Sequence, residues 1–123
     1  MTDQRLVPPL VLAPRAHIEQ GGGGDLWLIS VELWPQKVVL CCHLLGVEQR
    51  PGQPQAGTGL VWEVLVGSTA LTWLSTLSGG TGTESRIDWI LSAPTPLDYG
   101  EELPLRWSGP DASSGSLVLP IST

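Results

Sequence analysis

The sequence predicts an all-β domain, an antiparallel immunoglobulin-like β-sandwich of seven to eight strands. Three observations lead there. Tryptophan recurs in short alternating runs: Trp62-Glu63-Val64, Ile87-Asp88-Trp89-Ile90 and Leu105-Arg106-Trp107-Ser108 each set an indole on one side and a charge on the other. Successive side chains of a strand point to opposite faces, so these runs describe strands with one face turned to a core. Turn signals rich in glycine and proline separate the runs, and no useful length carries helical periodicity. With six Trp, one Tyr and no Phe, indole supplies most of the large rings for that core.

Residues 1–24 read as an N-terminal segment and 25–123 as the sandwich. In the segment, Pro8, Pro9 and Pro14 forbid a central strand but allow an edge strand around Val11, and Gly21-Gly22-Gly23-Gly24 makes a break. The first strand is expected over residues 26–34, with Trp27, Ile29, Val31 and Leu33 on one face. Pro35-Gln36-Lys37 is a tight turn into a second strand over 38–45, apolar on both faces and therefore central or doubly covered. A Pro/Gly/Gln-rich loop follows over 46–59, near the upper length for a structureless connection. Further strands are expected over 60–66, 71–77, 86–92, 103–108 and 117–121. Gly79-Gly80-Thr81-Gly82-Thr83 is the turn between two of them, and Pro94, Pro96 and Gly100 mark a longer crossover. The expected core comprises Trp27, Ile29, Val31, Leu33, Trp62, Val64, Trp89, Leu91, Leu103, Leu105 and Trp107.

Bulk properties narrow the function. A net charge of −6, a pI near 4.6 and six scattered basic residues argue against nucleic acid and against an anionic membrane surface. Apolar runs are interrupted well before 18 residues, so no transmembrane helix is expected, and the proline-broken N-terminus is a poor signal peptide. A cytoplasmic location is the expectation. Charged residues are 15% of the chain, against about 25% in typical domains. That deficit is explained either by a surface rich in Ser and Thr or by a partner that covers part of it.

No motif rises to a reaction. Cys41 and Cys42 are neighbours in a strand, so they point to opposite faces and read as buried, inert thiols rather than a disulfide or zinc site. His43 shares a face with Cys41, but the surroundings are aliphatic and supply no orienting carboxylate. The 79–82 glycine turn lacks the Lys and the helix of a phosphate-binding loop. Asp98, Glu101, Glu102 and Asp111 match no calcium-loop spacing. No catalytic residue, metal or cofactor is expected.

From Trp62 onward, Trp62-Glu63-Val64, Gly79-Gly80-Thr81-Gly82-Thr83-Glu84 with Arg86, Trp89, Pro94 and Pro96, and Leu103 with Leu105 follow the hairpin Val31-Glu32-Leu33-Trp34-Pro35-Gln36-Lys37-Val38-Val39-Leu40. Over residues 27–107 this order resembles a group of small actinobacterial β-sandwich proteins with no assigned activity. The resemblance implies the sandwich fold. Two departures stand out: Leu65-Val66 replaces an acidic pair of that group, and its Tyr is lost or shifted at Gly67-Ser68-Thr69-Ala70-Leu71, so a cation or ligand held by that pair in the group is not expected to bind here.

The functional expectation is a non-catalytic protein–protein interaction or assembly subunit, with a homodimer as first candidate. Its surface is an apolar outer sheet face formed by Leu28, Leu65, Leu74 and Ile90, extended by Val118. The competing explanation of that face is cover by the 46–59 loop or the N-terminal segment. The alternative function is a small-ligand or carbohydrate-binding module that uses Trp34 and Trp73, the tryptophans least clearly committed to the core.

Overall fold

Ten strands and no helix make up the computed structural model, which describes residues 9–20, 23–47, 59–109 and 113–121. They are β1 (Leu10–Leu12), β2 (Ala16–Ile18), β3 (Asp25–Leu33), β4 (Lys37–Leu45), β5 (Val61–Val66), β6 (Thr69–Ala70), β7 (Thr72–Thr81), β8 (Glu84–Ser92), β9 (Glu102–Ser108) and β10 (Ser114–Pro120). All pairings are antiparallel, in two sheets. The larger sheet has the order β1-β3-β4-β8-β7, with β2 also on β3; the smaller has the order β10-β9-β5-β6. The fold is therefore all-β and consistent with a sandwich. Two strands, β2 and β6, exceed the seven or eight expected, and at three and two residues they are too short to show an alternation.

The inner faces meet through Trp62, Trp89 and Trp107. The Trp62 ring lies 5.7 Å from Trp89, edge-on, and 5.5 Å from Trp107. Around them pack Leu40, Ile87 and Leu91 from the larger sheet and Val64, Leu103 and Leu105 from the smaller. Trp107 is pinned twice: its Nε1 donates to the Glu19 carbonyl at 2.8 Å, and its ring lies over the backbone of Gly115, its partner in the β9–β10 register. A Cβ on Gly115 would stand 2.4 Å from that ring. Gly115→Ala should therefore destabilise by about 1–3 kcal/mol, through overpacking of an indole that cannot move without losing its hydrogen bond. A urea midpoint at or above wild type would contradict this account of Trp107.

The β3 strand departs from the expected register. Ladder pairs run Leu28 with Cys42 and then Ser30 with Cys41, so Ile29 is the extra residue of a β-bulge. The bulge exchanges faces along the strand. Leu26 and Leu28 point into the core before it, and Val31 and Leu33 after it. Trp27 and Ile29, expected in the core with Val31 and Leu33, are only partly buried; Trp27 pairs with His17 in the register and meets its ring edge-on at 5.1 Å.

A second irregularity falls in β7, between Trp73 and Ser75. That strand and β8 are longer than expected, because Gly79 and Gly80 lie within β7 and the turn is reduced to Gly82-Thr83. Gly82 has φ +60°, the left-handed region that a glycine-first two-residue hairpin requires. Tyr99 fastens the β3–β4 hairpin by donating to the Trp34 carbonyl at 2.6 Å, with the Lys37 carbonyl at 3.1 Å, and burial pushes its hydroxyl up to about 12.

Candidate functional site

The four residues expected to share an apolar outer face do not share one. Leu28 is 0% exposed and belongs to the core, because the bulge at Ile29 reverses the alternation on which its outward placement rested. Leu65 is 47% exposed but lies in the other sheet, opposite Ala70 of β6. Ile90 is partly buried and pairs with Ser75 on the outer side of the larger sheet. Leu74 is 58% exposed as the extra residue of the β7 bulge, and Val118 lies on β10 at the edge of the smaller sheet. Of the competing cover, residues 48–58 lie outside the described residues, and the described part of the N-terminal segment pairs with β3 through β1 and β2 as part of the larger sheet.

What the structure assembles instead is a bare edge. β7 ends the larger sheet, and no strand among the described residues pairs with its outer side. Over Thr72–Thr81 it carries no charge and no proline, two of the devices that blunt an edge strand; the bulge at Leu74 is a third, and it lies near the start of the strand. Trp73 and Leu77 are 62% and 57% exposed, beside Leu74. Past the bulge the pairing is regular: Ser75, Leu77 and Gly79 lie opposite Ile90, Asp88 and Arg86 on the outer side, and Thr76 and Ser78 lie opposite Trp89 and Ile87 on the core side. Leu77 was not among the expected site residues. The signal that points to it is the uncharged run from Thr72 to Thr81, which is visible in the sequence.

Trp34 and Trp73 occupy different surroundings. The Trp34 indole N–H donates to Glu32 Oε1 at 3.0 Å, and the Lys37 ammonium sits 4.7 Å from its ring centroid, a cation–π contact that covers one face. Trp73 donates its N–H to Thr76 Oγ1 at 2.8 Å and walls a cavity of about 310 Å³ at the β7 side of the core. Trp34 does not line that cavity.

The outer side of the larger sheet holds most of the polar chemistry. Cys41 and Cys42 are free and buried on opposite faces of β4. Desolvation raises the pKa of both thiols, that of Cys42 more strongly in the core. Cys41 Sγ lies 3.9 Å from Arg86 Nη2, and Arg86 is itself engaged by Asp88 at 3.2 Å. His43 approaches Glu84 at 3.9 Å. A thiol 4% exposed, with its pKa raised, is a poor nucleophile whatever its neighbours. No group of three His, Cys, Asp or Glu side chains is placed to hold a metal ion among the described residues. On the smaller sheet, a polar groove of about 370 Å³ opens beside Glu63, Arg106 and Ser116, but Glu63 and Arg106 oppose each other in the register, which balances charge rather than concentrating it.

No protein-family model, curated protein or solved structure matches the chain.

Proposed function

We propose that this domain is a non-catalytic protein-interaction module, an immunoglobulin-like sandwich in layered architecture, that assembles with a second copy of itself along β7. The observation that carries the reading is the ten-residue, charge-free, proline-free edge with Trp73, Leu74 and Leu77 exposed beside it. An edge of this kind offers a row of backbone donors and acceptors to an added strand. A second copy suits it by charge. The chain carries −6 overall, and β7 is a stretch where two copies approach without setting carboxylate against carboxylate. Antiparallel pairing centred on Leu77 sets Leu77 against its own image, Ser75 against Gly79 and Thr76 against Ser78, a two-fold arrangement that keeps to the regular part of the strand past the bulge. Two free, buried thiols suit a reducing, cytoplasmic setting.

Light scattering after size exclusion tests this. Wild type should run as a dimer at high micromolar concentration. Leu77→Lys should run as a folded monomer, because it sets two like charges directly opposite each other in the shared ladder. Leu65→Lys, exposed on the other sheet, should remain dimeric. A monomeric wild type, or a dimer indifferent to Leu77→Lys, overturns the proposal.

A further inference from the structure

Building on the self-pairing proposed above, we infer that Gly79 is the floor of a socket that receives Leu77 of the second copy. This reciprocal fit, rather than the open edge alone, selects a second copy as the partner. An open edge by itself is undiscriminating, because its backbone donors and acceptors take any extended strand. Selectivity in strand addition comes from pockets for side chains along the edge. One such pocket lies on the outer side of the larger sheet. It is a groove of about 320 Å³ lined by Leu77, Ser78 and Gly79 of β7 and by Arg86 and Asp88 of β8. In the register Gly79 lies opposite Arg86, and Leu77 opposite Asp88.

The groove exists because position 79 has no side chain. A Cβ built there meets nothing within 4 Å, so the space above the strand is open. Arg86 does not fill it: its Nε donates to Asp88 Oδ1 at 3.2 Å, which turns the side chain along β8. That pairing neutralises the wall, and the methylenes of Arg86 offer apolar surface to a neighbour. In the arrangement centred on Leu77, Gly79 stands opposite Ser75 of the second copy, a side chain too small to fill the space. The next residue on the same side of that strand is the second copy's Leu77, diagonal to Gly79. Diagonal neighbours across an antiparallel pair lie about 7–8 Å apart, within reach of a long side chain. Leu77 is 57% exposed in the single copy, so it has apolar area to bury on pairing. Two-fold symmetry makes the fit mutual, each copy giving one leucine and one socket.

Substitution of Gly79 in the full chain is the test, because a socket and a bare edge predict opposite signs. Valine is a better strand former than glycine, and at position 79 its side chain meets open space. An edge that paired through its backbone alone would therefore dimerise as well or better in Gly79→Val. A filled socket should instead weaken the dimer about tenfold or more, through overpacking against Leu77, with the urea midpoint of the fold unchanged or raised. Gly79→Ala should weaken the dimer by a smaller factor, and it decides alone should the valine variant fail to fold. Mixing supplies a second readout. Two Gly79→Val copies clash and two Leu77→Ala copies leave their sockets empty, but one of each sets the alanine beside the valine and the leucine in the open socket. Native mass spectrometry of an equal mixture should show the mixed dimer above the statistical half. Affinity at or above wild type in the Gly79 variants, or a mixed dimer at or below half, overturns the socket and leaves pairing along β7 standing. A monomeric wild type removes that pairing, and the socket with it.

Discussion

Trp89→Ala should destabilise the domain by about 3–5 kcal/mol, a large share of the roughly 5–15 kcal/mol that holds a domain of this size together. Trp89 is fully buried on β8, one strand in from the β7 edge of the larger sheet, between Leu40 of β4 and Thr76 of β7 in the register. It faces Trp62 of the opposite sheet edge-on. Truncation removes the largest fully buried side chain and one of the three indoles that join the sheets. The surrounding strands are held by ladders on both sides of β8, so the site can collapse only partly and a void remains. Urea unfolding should show a lower midpoint with an unchanged slope, and Trp89→Phe should lose less. A shift equivalent to less than about 1 kcal/mol would mean that the indole does not join the sheets as described.

Leu28 supplies the second large effect and the sharper contrast. Leu28→Ala should destabilise by about 2–5 kcal/mol, the usual cost of emptying a leucine site in a core. Leu28→Glu should fail to fold, since it buries a carboxylate with no cation beside it. Leu65→Glu, at a position that reads much the same in the sequence, should stay within about 0.5 kcal/mol of wild type. Circular dichroism and urea melts of the three variants decide between two registers of β3. If Leu28→Glu behaved like Leu65→Glu, the bulge at Ile29 would be wrong and the strand would present Leu28 to solvent.

Much of the strand layout was legible because alternation is a period-two signal that needs no tertiary information. Trp62, Val64, Trp89, Leu91, Leu103, Leu105 and Trp107 alternate with polar or solvent-facing residues, and all are buried. The edge at Val11 followed from prolines that exclude a central strand. The self-pairing site was half legible. The uncharged run over Thr72–Thr81 stands in the sequence, but only the strand order places it at the rim of a sheet, where missing charge matters.

By itself, then, the chain determined its β class, the indole faces of β5, β8 and β9, and the opposite orientation of Cys41 and Cys42, because each depends only on the pleat of a strand. Tertiary structure decided which way β3 and β7 face. Their bulges contain no glycine or proline to mark them; each is an extra residue, Ile29 or Leu74, tolerated because the partner strand continues past it. One inserted residue reverses every side chain beyond it, which is why Leu28 lies in the core and Trp27 on the opposite face. Tertiary structure also brought Leu60, Trp73 and Trp89 around one cavity, since three strands distant in sequence meet there only when the two sheets are packed together.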